Sequence, residues 1–221
     1  MKFEIISIFP DIFYPYFKTS IFGRACKNGL IQSTLHNLRD YTKDRHKTVD
    51  DSPYGGGAGM VMKVEPIYDN VQSILNKENI STRILLLSAK GKIFTQEDAR
   101  RLSHYERIIL ICGRYEGVDE RVNQYIADEE VSVGPYVLTG GELPAMIVCD
   151  AITRLIPGVL GNPHSLQEES RGDLYDASYP QYTKPEVFNN WTVPRTLLEG
   201  NHTEIERWRK TNARLKNISP E

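Results

Sequence analysis

Three glycine-rich segments hold most of the side chains in this 221-residue chain that could act on a ligand: SPYGGGAGM at residues 52–60, GRYEGVDER at 113–121 and SVGPYVLTGGELPAM at 132–146. Glycines there let backbone amides and carbonyls come close to a flat heterocycle and read the donors and acceptors on its ring edge. Glu116, Tyr115 and Tyr136 lie among the glycines and add a charge and two ring surfaces. The first segment lacks the Lys-Ser/Thr ending of a phosphate-cradling loop, and none has the spacing of a dinucleotide fingerprint after the first strand, which disfavours triphosphate and nicotinamide chemistry. Each loop taken singly is also open to the plainer reading of a tight turn. Two such loops with acid and aromatic side chains interleaved point instead to a ligand site.

These loops need a frame. The short apolar runs FEIISIF (3–9), RILLLS (83–88) and RIILIC (107–112) read as buried strands. The first is stopped by Pro10 and leads into a helix over about residues 12–28. Thr95, with Asp98 three residues on, is a capping-box start for a helix between the second and third runs. Strand, helix, strand predicts an α/β fold with a parallel sheet. The second glycine loop leaves RIILIC directly and the third follows EEVSV at 129–133, so both open at the carboxyl end of the sheet, where ligands of open α/β folds bind. ELPAMIVCDAITRLI at 142–156 is apolar nearly all round and reads as a buried helix ending ahead of Pro157.

The stretch after Pro157 is rich in Gly, Pro and polar residues. It divides the chain into a domain over 1–160, a linker over 161–173 and a small unit over 174–221. In that last unit a helix over 203–216 puts Ile205, Trp208 and Leu215 on one stripe, with Arg207, Arg209, Lys210, Arg214 and Lys216 mostly off it. The basic face suits a solvated surface or contact with phosphates; its basicity in a mildly acidic chain favours phosphates.

Lys and Arg number 27 against 29 Asp and Glu, a formal net charge of -2, so any RNA must meet a local basic patch. Cys26, Cys112 and Cys149 are read as buried thiols of a reducing compartment. None of the five histidines has metal-ligand spacing, and no metal ligand is predicted. With no signal-peptide pattern and no apolar run of about 20 residues, the expectation is a soluble cytoplasmic protein without membrane contact.

At the glycine loops a resemblance becomes specific. GRYEGVDER together with VGPYVLTGGELPAM is similar to the bacterial tRNA (guanine-N1)-methyltransferase family, and HKTVDDSPYGGGAGM upstream and ITRLIPGVLG downstream agree in order. The resemblance runs from Met1 to about Lys216. It implies a SPOUT-type α/β domain with a deep trefoil knot on its C-terminal side, a small helical C-terminal domain that binds tRNA, and a homodimer. It further implies transfer of a methyl group from S-adenosyl-L-methionine to N1 of the guanosine at tRNA position 37, 3′ of the anticodon. Mg2+ is kept open as a second cofactor.

The resemblance also assigns residues. The donor would be held by Leu86, Leu87, Ser88 and Ala89, by Gly113, Tyr115, Glu116 and Gly117, and by Ser132, Val133, Gly134, Tyr136, Val137, Leu138, Gly140, Gly141 and Pro144. Its adenine would lie against Val133, Gly134, Tyr136 and Leu138. Asp50, Gly57, Gly59 and Met60 would meet the substrate guanosine, and Glu169, Arg154 and Glu116 would be catalytic. Without the resemblance, Glu169 is equally a solvated linker carboxylate and Arg154 a partner of Asp150 one turn earlier. The chain departs from the family pattern at the linker, QEESRGD, where Glu169 stands in place of a frequent Asp, and at PQYTKPE, with Gln181 for His and Lys184 for Arg. Two other classes compete: a tRNA-binding module without chemistry, which would not bind S-adenosylmethionine, and a SPOUT enzyme acting on ribose or ribosomal RNA, which would methylate a different atom.

Overall fold

A computed structural model describes residues 1–161, 169–171 and 175–215. The chain divides into two compact units, Met1–Leu160 and Gly161–Glu221. The first strand, β1 (Lys2–Ser7), runs into a short 3-10 turn at Pro10–Phe13 and helix α1 (Tyr14–Phe17), and then into α2 (Ser20–Lys27). One continuous helix was expected here. The Thr19 hydroxyl instead donates to the carbonyls of Tyr16 and Pro15 at 2.9 and 3.2 Å, closing α1, while its extended backbone restarts the chain as α2.

Strand β2 (Gln32–Asn37) follows, then the small ribbon of β3 (Asp50–Asp51) and β4 (Val61–Met62), and helix α3 (Val64–Leu75). Next come β5 (Thr82–Ile93), α4 (Gln96–Leu102), β6 (Arg107–Cys112), α5 (Glu120–Tyr125), β7 (Glu129–Ser132) and α6 (Glu142–Thr153). The capping box read at Thr95 and Asp98 is present, both halves formed. Five strands make one sheet in the order β2-β1-β6-β5-β7, every pairing parallel.

Both faces of this sheet are covered, which is why its central strands are near-continuous apolar runs: all six residues of β6 are buried. Alternate side chains serve opposite layers. Phe3, Ile5, Leu85, Ile108 and Leu110 pack with α2, α4 and α6, while Ile6, Leu86, Ile109 and Ile111 pack with α3 and Val122 of α5. Each such aliphatic side chain contributes about 1.5–3 kcal/mol by leaving water. Arg107 at the head of β6 is 2% exposed, and its guanidinium donates to the carbonyls of Ile74 and Glu78 and to the Thr82 hydroxyl. That leaves no stranded charge under the sheet.

Helix α6 is not buried all round. Pro144, Ala145, Val148, Cys149 and Ile152 face the core, whereas Leu143 and Ile147 on the other side are 51% and 46% exposed. The apolar composition expected to bury every face thus supplies one core-facing stripe and one bare one. Cys112 and Cys149 are buried, but Cys26 is only half-buried beside Ser33, because it lies at the edge of α2. Burial pushes all three thiols up.

The chain enters α6 hard against the end of β6. A Cβ on Gly141 would stand 2.7 Å from the Cys112 Cα and 2.9 Å from the Gly113 nitrogen. Gly141→Ala should therefore force backbone apart and cost about 1–3 kcal/mol, read as a lower denaturant midpoint at unchanged slope. An unchanged midpoint would mean that the contact relaxes freely.

The described residues of the second unit combine helices at Arg195–Leu198 and His202–Asn212 with two ribbons, Tyr175–Ala177 against Arg214–Leu215 and Val187–Phe188 against Trp191–Thr192. The helix expected over 203–216 stops at Asn212: Ala213 is extended, and the next two residues join the ribbon. Lys216 lies outside the described residues. Among those residues, no helix is long and apolar enough to cross a membrane.

Candidate active site

A cleft of about 250 Å³ opens at the bulge of β5 and the carboxyl ends of β6 and β7, a little below the usual range for small-ligand pockets. One wall comes from β5 itself. Leu87 and Lys92 both pair with Val131, so residues 88–91 bulge out of the ladder and turn Ser88, Ala89 and Lys90 toward the cleft. The second wall is the loop after β6, and the third is the loop between β7 and α6. Leu86, Leu87, Val133 and Leu138 supply apolar lining.

The loop after β6 is held in an unusual shape. Tyr115 has φ +61, a left-handed conformation that side chains other than glycine rarely adopt. The Gly117 amide donates to the Arg114 carbonyl and the Glu116 amide to that of Met60. Further along, the Met62 amide donates to the Gly117 carbonyl and the Asp119 amide to the Met62 carbonyl. Strand β4 thus zips onto the loop and brings the first glycine segment with it. Gly59, at φ +83, lies so close to Glu116 that a Cβ would stand 2.5 Å from its Cγ.

Beneath the cleft floor lies a buried carboxylate. Glu142, 1% exposed in the first turn of α6, accepts from the Ser7 hydroxyl at 2.8 Å and from the Arg114 Nε at 3.0 Å. The Arg114 guanidinium in turn covers the Phe9 ring at 4.8 Å. The Cys112 thiol, just below, is pushed well up, first by burial and then by the Glu142 charge.

Every residue expected to hold the methyl donor lines this cleft except Gly134. The Tyr136 ring covers Gly134, lying where its Cβ would be, and the Tyr136 hydroxyl donates to the Val133 carbonyl at 3.2 Å. Glu116 is in the lining. Gly59 and Met60 meet it at the cleft mouth, Asp50 pairs with Met62 in the adjoining ribbon, and Gly57 sits in the exposed loop between.

Arg154 is not brought to the cleft. It caps the far end of α6, half-buried, with its amide bonded to the Asp150 carbonyl. Twelve residues of helix at 1.5 Å each put it about 18 Å along the axis from Glu142. Asp150 accepts the Tyr16 hydroxyl at 2.6 Å, and burial with this carboxylate pushes the Tyr16 phenol up to about 12. Glu169, half-buried, belongs to the second unit, beside Ser170, whose hydroxyl receives the Ser178 amide at 2.9 Å. Asp173, a second carboxylate of the linker, lies outside the described residues.

Sequence reasoning passed over Arg114, Glu142, Lys90, Thr139 and Glu130. Arg114 stood within a quoted motif, and an arginine between two glycine turns was the available signal. Nothing local announced that Glu142 would be buried. Among the described residues, no group of three or more His, Cys, Asp or Glu could hold a metal ion.

The family described as tRNA (Guanine-1)-methyltransferase TrmD matches residues 1–219. A tRNA (guanine-N(1)-)-methyltransferase of Caldanaerobacter subterraneus subsp. tengcongensis is 53% identical over 95% of this chain and 86% of its own. One from Dehalococcoides mccartyi is 49% identical over 95% and 84%. Among solved structures, the crystal structure of tRNA (m1G37) methyltransferase from Aquifex aeolicus superposes with a TM-score of 0.80 at 38% identity, covering 94% of this chain and 87% of that one.

Proposed function

Because this chain belongs to the tRNA (guanine-1)-methyltransferase family, we propose that it transfers a methyl group from S-adenosyl-L-methionine to N1 of guanosine 37, the nucleotide 3′ of the tRNA anticodon. The observation that carries the reading is the cleft, which gathers three separate loops on the ends of parallel strands around one apolar-lined space. Its test is methyl transfer to tRNA transcripts in which the base 3′ of the anticodon is varied. Transfer should require guanine there, and activity indifferent to that base would overturn the assignment.

The residues fit the donor. Leu86, Leu87, Val133 and Leu138 exclude water from one side of a flat base, and main-chain groups of the three loops lie within reach of its edge. When bound, the donor supplies a methyl group on a sulfonium centre open to attack. Guanine N1 carries a proton at neutral pH and is a poor nucleophile until that proton leaves. Glu169 takes it, in our reading, and Arg154 donates a charge-assisted hydrogen bond to the guanine carbonyl oxygen, onto which negative charge spreads. Glu116, with Gly59 and Met60 against it, orients the base at the cleft mouth. N1 then takes the methyl group as its bond to sulfur breaks, the electron pair staying on what becomes a neutral thioether, and the proton remains on Glu169 for release to water. No described residue is assigned to Mg2+.

The same reading includes a homodimer. Arg154 stands about 18 Å along α6 from Glu142 beneath its own cleft, and a second chain whose α6 crossed antiparallel at a two-fold axis would bring it to the partner's cleft. The bare stripe of Leu143 and Ile147, with Phe9 and Ile12 exposed nearby in sequence to the β1 end, supplies apolar surface of the kind such an axis buries. The close passage of Gly141 over the end of β6, after the chain has reached the sheet edge at β7, supports the knot. An enzyme of this kind works in the cytoplasm, with its tRNA.

For tRNA contact we assign the domain after the linker. Neutralising Arg207, Arg209 and Lys210 together should weaken tRNA binding, flatten its salt slope by about 0.7–0.9 per lost phosphate contact, and spare donor binding. Arg207 pairs with Glu204 at 2.8 Å, and Arg209 covers the Tyr179 ring at 4.9 Å. Single Lys210→Ala therefore reports phosphate contact most cleanly. Unchanged tRNA affinity in the triple variant would move the RNA site elsewhere.

A further inference from the structure

The buried carboxylate under the cleft is not among its lining residues, yet it ties the end of β1 to two segments that line the cleft, the loop after β6 and the entry to α6. Glu142 Oε1 receives the hydroxyl of Ser7 at the end of β1; Oε2 receives Arg114 Nε from the loop after β6; its own backbone opens α6, where the helix N-terminus favours a negative charge. Ser7 is fixed in turn, its Oγ accepting the Phe9 amide at 2.9 Å, and the Phe9 ring lies under the Arg114 guanidinium. Gly140 rests on this pair: a Cβ there would stand 2.3 Å from Arg114 Nε and 2.6 Å from Glu142 Oε2. The Gly140 main chain lines the cleft on its other side. A buried ion pair adds little to stability compared with apolar residues of the same volume, so stability alone gives no reason for one here. It does have two hydrogen-bonded ends with fixed directions, which apolar packing lacks.

We propose that Glu142 is a positioning residue for methyl-donor binding: through Arg114 and the seat beneath Gly140, it sets the separation of the loops at 113–117 and 138–141 between which the donor lies. The inference rests on the reading of the cleft as the donor site.

The test uses the full chain, calorimetric titration with S-adenosylmethionine, and steady-state kinetics with tRNA transcripts. Wild-type protein that fails to bind the donor would overturn the cleft reading; the outcomes below presuppose that it binds. Glu142→Gln should raise the donor's dissociation constant and KM about ten- to a hundredfold, since loosened loops lose preorganisation, while the KM for tRNA and kcat at saturating donor stay within about twofold. Arg114→Gln should match it, the double variant should be no worse than the weaker single one, and Arg114→Lys should restore only part of the affinity because lysine lacks the planar fork. A merely structural role would lower the melting temperature and the active fraction without changing donor affinity in the folded fraction, and that result overturns the proposal. So would additive effects in the double variant. Should Glu142→Gln not fold, Arg114→Gln, which leaves Glu142 bonded to Ser7, decides the matter alone: wild-type donor affinity there refutes the proposal.

Discussion

Replacing Glu169 with glutamine should lower turnover at saturating tRNA and donor by about 10²- to 10⁴-fold, the range that general-base catalysis supplies, with the donor's dissociation constant near its wild-type value. The amide keeps the size of the side chain and its capacity to accept a hydrogen bond, but it cannot hold the N1 proton. Donor binding is spared because the described residues that line the cleft, from Leu86 to Pro144, all belong to the first unit and Glu169 belongs to the second. Glu169→Asp should stay active, since it keeps a carboxylate that can accept the proton, one methylene shorter. Rapid-quench measurement of methyl transfer separates the chemical step from product release. A near-normal rate for the glutamine variant would remove Glu169 from the mechanism and leave Glu116, Asp173 or water as the base.

Arg154→Gln should cost about 10²- to 10³-fold in turnover, as removal of a donor to a developing oxyanion does, and this loss should be repairable in trans. Ala89→Trp is the complementary lesion. Ala89 lies exposed on the β5 bulge and lines the cleft, so an indole there blocks the donor while leaving the core alone. Neither variant is active by itself. Mixed, they form hybrid dimers in which the open cleft of the Arg154→Gln chain meets the intact arginine of the Ala89→Trp chain. With random exchange, half the dimers are hybrids and one of their two sites is intact, so roughly a quarter of wild-type activity should return. If exchange is demonstrated by mass and no activity returns, Arg154 does not serve the partner's cleft.

Much of this architecture could be read from the residues. RIILIC coincides with β6 because a strand covered on both faces needs apolar side chains at every position, and Thr95 with Asp98 marks the start of α4 through local hydrogen bonds alone. The loops that line the cleft were legible because they directly follow such strands. What escaped was non-local. Glu142 and Arg114 are 28 positions apart, and only the sheet order brings them together under Gly140. The bulge at 88–91 is invisible in RILLLS, since it is defined by the register with β7 rather than by composition. Helix α6 looked buried all round because apolar residues do not say which partner will cover them; Leu143 and Ile147 find none within this chain's core. The break between α1 and α2 goes with local geometry that composition does not announce, Ser20 at φ +50 and the Thr19 hydroxyl bonded to the carbonyls of Tyr16 and Pro15.

The length of α6 has a further consequence for the amount of enzyme a cell must keep. If, as proposed, α6 serves one cleft at its first turn and the partner's at its last, catalytic capacity is a property of pairs, and dilution below the pairing constant would remove activity in proportion to the square of chain concentration rather than to its first power. Titrating expression downward would then show a threshold, below which modified tRNA falls faster than the protein does. A chain defective only in its cleft would still lend its arginine to an intact partner, and partial loss of function would be recessive over a wide range of dosage.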